Sequence, residues 1–153
     1  MSTEPVTSIE MLKRLVAFDT TSRGSNLALI AYVEGLLAEI GVTGRRVPNA
    51  EGSKTNLFAT LGPNIEGGIV LSGHTDVVPV DGQFWSSDPW TLTRRGERLY
   101  GRGTCDMKGF LALALAAAPE LVRAFTSSIF CKITCSRTSS SNCSIYYNIP
   151  NSS

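Results

Sequence analysis

The sequence predicts an α/β domain, and three observations point to it. Apolar residues recur at helical spacing in two early segments and again after residue 107. Short runs rich in β-branched residues lie between them, and clusters of Gly, Pro and Asn mark the joins. Helices mixed with short strands fit a mixed sheet with flanking helices.

The elements follow in order. Thr7-Ser8-Ile9-Glu10 is a capping-box pattern, and Ile9, Leu12, Leu15 and Val16 then repeat on one helical face, predicting a helix that ends around Phe18 to Asp19. Ser25 can cap a second helix through Leu27, Ile30, Val33, Leu37 and Ile40, with Gly41 as its stop. Strands are expected at Gly44 to Val47, Asn56 to Leu61 and Ile69 to Leu71, the last as a buried apolar run leading to His74. A hairpin is expected from Trp90 to Thr93 and from Arg98 to Tyr100, about a turn at Arg95-Gly96. A third helix starts near Met107, and Pro119 either kinks it or opens a new turn.

Composition narrows the function classes. The 153 residues could bury one sizeable core, and a formal net charge of +1 gives no electrostatic case for a nucleic-acid or membrane partner. The start, Met1-Ser2-Thr3-Glu4-Pro5, has the features of neither a secretory signal nor a transit peptide, and no run reaches the ~18 apolar residues of a membrane span. A cytoplasmic location is the expectation.

The chain changes character near residue 125. Beyond it there is no Ala, Gly, Val, Leu, Asp or Glu, and Ser dominates with Asn, Thr and three of the four cysteines. Two units are therefore expected: 1–125, and a low-complexity, unstructured tail over 126–153 that is not native to the fold, such as the product of a shifted reading frame. Cys131, Cys135 and Cys143 lack the four ligands and close pairs of a structural zinc site, so reduced thiols are expected there.

Two motifs carry chemistry. In Ile69-Val70-Leu71-Ser72-Gly73-His74-Thr75-Asp76 a strand delivers His74 and Asp76 at its carboxyl end, where open α/β sheets bind ligands. Residues two apart on a strand point to the same side, so an imidazole can face a metal while a carboxylate supports it. A strand-end pair that merely hydrogen-bonds to a loop would read the same way. In Tyr100-Gly101-Arg102-Gly103-Thr104-Cys105-Asp106-Met107-Lys108-Gly109, a strand and glycine-rich turn place Asp106 at a helix start. That carboxylate could serve a divalent cation or simply cap the helix. Gly101-x-Gly103 is two-thirds of a dinucleotide fingerprint, but Asp106 occupies the third glycine position and would repel a pyrophosphate. No Gly-x-Ser-x-Gly elbow is present.

Taken in order, Ser72-Gly73-His74-Thr75-Asp76-Val77-Val78-Pro79, Trp85-Ser86-Ser87-Asp88-Pro89-Trp90, Tyr100-Gly101-Arg102-Gly103 and Asp106-Met107-Lys108-Gly109 resemble the dinuclear-zinc peptidase/deacylase family. Its members include succinyl-diaminopimelate desuccinylase and aminoacylase. Phe18-Asp19-Thr20-Thr21-Ser22-Arg23 and Val80-Asp81-Gly82-Gln83 resemble its acetylornithine deacetylase branch, and the likeness covers residues 8 to 125. The resemblance implies an incomplete zinc-peptidase-like catalytic domain. It implies His74 as a ligand of one metal, Asp106 as a carboxylate bridging two, and Asp76 as a catalytic residue that orients and tunes the imidazole. It further implies zinc, with cobalt as a substitute, two ions in the intact site, homodimeric relatives and an N-acyl amino acid substrate. For the named branch, N-acetylornithine would yield ornithine and acetate. The family's Glu-Glu pair should follow Asp106, yet Glu120 is the only later acidic residue, and His74 is the only histidine. The site is thus expected to be incomplete and the chain inactive alone, or else to act as a non-catalytic protein that pairs with a full-length homologue.

Overall fold

The computed structural model describes residues 6–63, 68–124 and, as backbone alone, 129–134. Three helices, α1 (Ser8–Val16), α2 (Leu27–Glu39) and α3 (Gly109–Ala124), accompany two sheets. The larger sheet has the order β1-β2-β6-β3, from β1 (Gly44–Pro48), β2 (Thr55–Leu61), β3 (Ile69–His74) and β6 (Ile129–Thr134). The smaller is a hairpin of β4 (Thr93–Arg95) and β5 (Arg98–Tyr100). The mixed α/β class is therefore present as expected.

Local chemistry explains the boundaries. Thr7 Oγ1 accepts from the Glu10 amide at 3.2 Å and starts α1. The helix buries Met11, Leu12, Leu15 and Val16, whereas Ile9 faces solvent, and it ends at Val16, two residues earlier than expected. Ser25 Oγ accepts from the Leu27 amide at 3.2 Å, although Asn26 occupies the cap position. The Asn26 side chain is engaged elsewhere: it donates to the Thr55 carbonyl at 2.9 Å and accepts from the Thr55 amide at 3.0 Å, tying α2 to β2. Pro119 lies inside α3, which continues through it to Ala124.

The core gathers Leu15 and Val16 of α1, Ile30, Val33 and Leu37 of α2, Leu57 of β2, and Leu111 and Leu115 of α3. Along β2, Thr55, Leu57, Ala59 and Leu61 alternate as buried positions, as the pleat requires. Gly73 of β3 lies against α3; a Cβ there would come 2.7 Å from Leu111 Cδ2. Gly73 thus admits the close approach of helix and strand.

Two expectations are corrected. The start of β3 is not buried: Ile69 and Val70 are 60% and 53% exposed, because β3 is an edge strand of the four-stranded order. Nor is the segment after 125 wholly unstructured. Residues 129–134 form β6, antiparallel to β2 and parallel to β3, with Ala59 and Leu71 both opposite Cys131. Ile-Phe-Cys-Lys-Ile-Thr is rich in β-branched and aromatic residues, a preference hidden by the serine-rich composition around it. A strand there also supplies ladder partners to β2 and β3 together. The hairpin forms at 93–95 and 98–100, so its first strand begins later than Trp90. Cys135 and Cys143 lie outside the described residues.

Candidate metal centre

His74 is the last residue of β3, and its ring is held from both sides. Nδ1 lies 3.0 Å from the Asp76 carbonyl oxygen and 3.3 Å from Asp76 Oδ1. Nε2 points the other way and lies 3.0 Å from Asp106 Oδ1. A neutral imidazole has one N–H, yet here each ring nitrogen faces oxygen acceptors. The tautomer that donates from Nδ1 to Asp76 leaves the Nε2 lone pair facing Asp106 Oδ1, an arrangement that a shared cation would satisfy. The three residues singled out in the sequence therefore meet at one place.

Asp106 reaches that place because the chain leaves helical geometry there. Between Gly103 and α3, Asp106 (φ −128°, ψ 95°) and Met107 (φ −138°, ψ 35°) are non-helical, and the peptide joining them is cis. Asp106 lies three residues before α3 begins at Gly109, and its side chain, 81% exposed, lies against His74 Nε2. Gly103 makes the approach feasible. Its φ of +82° favours glycine, and a Cβ would fall 2.7 Å from Val77 Cγ1.

The donors suit a divalent cation in kind: one imidazole nitrogen and one carboxylate oxygen. They suit it in spacing as well. Two ligands of a tetrahedral zinc sit about 3.3 Å apart, close to the 3.0 Å between Nε2 and Oδ1. They fall short in number, because among the described residues no group of three His, Cys, Asp or Glu side chains could hold a metal ion. Glu120, the one later carboxylate, is on the surface of α3 paired with Arg123.

Several residues at this centre escaped the sequence reading. Lys108 is completely buried, an unusual state for lysine. Its Nζ donates to the Phe18 carbonyl at 2.7 Å and lies 5.7 Å from the Trp90 ring centroid. Burial pulls the Lys108 ammonium down to about 8, and the nearby Asp19 carboxylate partly offsets that. Thr75, also fully buried, receives Thr20 Oγ1 on its carbonyl at 2.6 Å and Asn26 Nδ2 on its hydroxyl at 3.2 Å. Only the adjacency of Lys108 to Asp106 and of Thr75 to His74 could have drawn attention to them.

Residues 70–131 match the sequence profile of peptidase family M20/M25/M40. Acetylornithine deacetylase from Photorhabdus laumondii is 43% identical over 121 residues, covering 74% of this chain and 31% of the relative. The acetylornithine deacetylase of Proteus mirabilis is 42% identical over 123 residues, covering 75% and 31%. The chain thus spans about a third of the length of these relatives. Among solved structures, human carnosine dipeptidase 1 superposes with a TM-score of 0.69 at 28% identity, over 82% of this chain and 31% of that one. An M20 family metallo-carboxypeptidase from Sulfolobus solfataricus shares the fold at a TM-score of 0.69 and 22% identity, over 82% and 30%.

Proposed function

We propose, from the match of residues 70–131 to the profile of peptidase family M20/M25/M40, that the chain supplies part of the metal centre of an amide-hydrolysing enzyme. The observation that carries this reading is the 3.0 Å approach of His74 Nε2 to Asp106 Oδ1. His74 and Asp106 would hold a divalent cation, zinc or cobalt, with the intact site taking two ions. Asp76 would fix the ring through Nδ1, so that Nε2 keeps its lone pair for the cation. When bound, such a cation polarises a carbonyl and lowers the pKa of water toward ~7.

The substrate of this reading is an N-acyl amino acid, and the deacetylase relatives make N-acetylornithine the first choice, with a place in arginine biosynthesis. Water adds to the acyl carbon, the C–N bond breaks, the amine takes up a proton, and acetate and ornithine leave. The chain's own contribution is to set two donors and their orientation. Among the described residues no carboxylate after Asp106 is placed as a general base: Glu120 is paired with Arg123 at the surface. On this reading the 153-residue chain is inactive by itself. The serine-rich stretch 126–153 has, on this reading, a different origin from residues 1–125, although residues 129–134 pair in the sheet.

An assay of N-acetylornithine with added zinc or cobalt tests this reading. The isolated chain should show no turnover above background and should bind metal in a manner lost in His74→Ala; efficient turnover would overturn the inactivity. The exposed apolar side chains favour a second reading. Ile69, Val70, Phe84 and Leu113 face solvent, Phe84 at 96%, as expected of a chain that docks on a larger homologue. Co-purification with an intact deacetylase, without any turnover by the chain itself, would mark that role. Among the described residues no helix is long and apolar enough to cross a membrane.

A further inference from the structure

The His74 and Asp106 arms arrive from elements far apart in sequence, and a single short segment touches both from behind. Among the described residues, Thr20, Thr75 and Lys108 are buried polar or charged side chains, and a hydrogen bond ties each of them into this region. At its middle are Phe18, Asp19 and Thr20, directly after α1. On one side the Phe18 carbonyl receives Lys108 Nζ at 2.7 Å, two residues beyond Asp106. On the other, Thr20 Oγ1 donates to the Thr75 carbonyl at 2.6 Å, one residue beyond His74. The Val77 amide donates to the Thr20 carbonyl at 3.1 Å, and the Ser22 amide to the Val77 carbonyl at 3.0 Å, so the segment runs beside the β3 exit like a short added strand.

The segment itself is anchored. The Phe18 amide donates to the Leu15 carbonyl at 3.3 Å, and the Phe18 ring lies 5.6 Å from that of Tyr32 on α2. The Asp19 carboxylate accepts from the amide and hydroxyl of Thr21, which rigidifies the turn. The stem of Lys108 passes Gly103, where a Cβ would come 3.2 Å from Lys108 Cδ. A buried ammonium is costly unless its protons are received, so this contact has a defined geometry.

We infer that Phe18–Thr20 is a strut that sets the separation of His74 and Asp106, with Lys108 and Thr20 as its two positioning residues. The inference rests on the reading of His74 and Asp106 as cation donors. Lys108 touches neither donor; it holds the backbone that carries Asp106. Thr20 does the same for the backbone that carries His74.

The full chain and its single histidine provide the test. With the imidazole nitrogens labelled, the NMR signal of His74 Nε2 reports the Asp106 contact, and Asp106→Ala supplies the reference for a broken one. Lys108→Met and Thr20→Val should each move the His74 signal toward that reference and weaken Zn2+ binding at least about tenfold. The double variant should do no more than either alone, because cutting one end of a strut already frees the separation. Thr20→Ser, which keeps the hydroxyl, should restore the original signal. If Lys108→Met does not fold, Thr20→Val against Thr20→Ser decides alone. A wild-type His74 signal and wild-type affinity in the folded variants overturn the strut and leave the donor reading intact. An Asp106→Ala chain whose His74 signal does not move, or a wild-type chain that takes up no Zn2+, overturns the donor reading and the strut with it.

Discussion

His74 and Asp106, 32 residues apart in sequence, bring Nε2 and Oδ1 to 3.0 Å of each other across the end of β3. If this pair is the heart of a cation site, each side chain is needed. Zn2+ affinity measured by calorimetric titration should fall by more than about 100-fold in His74→Ala and in Asp106→Ala, beyond the 10–100-fold that outer contacts are worth. Unchanged binding in either variant would remove the pair from the site.

Asp76 tests orientation separately from ligation. It faces Nδ1 with both its carbonyl and a carboxylate oxygen, at 3.0 and 3.3 Å. Asp76→Asn keeps the carbonyl contact and loses the charge. Zn2+ affinity should drop about tenfold while the melting temperature measured without metal stays close to wild type.

Glu34 and Arg46 join α2 to β1, with Arg46 Nε 2.8 Å from Glu34 Oε1. Hydrogen bonding to Arg46 holds the Glu34 carboxyl below its ordinary 4.5, outweighing a small opposing effect of burial. A carboxyl depressed by folding adds stability above its unfolded pKa and loses it as pH falls through the folded value. Wild type should therefore shed stability on acidification below about pH 4.5 more steeply than Glu34→Gln. Both side chains are partly exposed, so the difference should stay within about 1 kcal/mol. Parallel denaturant titrations from pH 6 to pH 3 would measure it.

Gly103 connects stability to the site. Alanine there meets Val77 Cγ1 at 2.7 Å and must adopt a φ of +82°. Gly103→Ala should cost about 1–3 kcal/mol of stability. It should also disturb the His74 signal, since Val77 and Lys108 both border the added methyl. A variant with wild-type stability would show that the turn relaxes freely.

The segment after residue 125 can be judged by removal. β6 pairs with β2 and β3 at once, so a chain ending at Ala124 leaves two strands without a neighbour between them. That chain should melt at lower temperature and associate more readily by sedimentation, as unpaired strand edges do. An unchanged melting curve would mean that β6 adds nothing to the fold.

Much of the architecture was legible in the residues, because helix periodicity and turn chemistry are local. The Thr7 cap, the stop after Ile40 and the turn at Gly96 each depend on a few neighbouring side chains. The differences have a common source. Ile69 and Val70 are apolar and so read as buried, yet burial depends on what covers a strand, and β3 lies at the sheet edge. Composition alone puts residues 129–134 in a tail, yet strand formation depends on available partners, which β2 and β3 supply. Lys108 carries no signal in the sequence because a lysine in isolation belongs in water.

By itself the sequence determined which side chains are at hand: one histidine at the end of an apolar run, one aspartate after a glycine-rich turn, and no acidic residue beyond Glu120. Residue type and spacing along the chain are sufficient for that. Tertiary structure alone decided that the His74 and Asp106 side chains face one another, and that Lys108 and Thr20 grip the same short segment behind them. The reason is physical. Each of these facts depends on contacts between residues 32 to 90 positions apart, which exist only once the strand, the turn and the end of α1 are packed together.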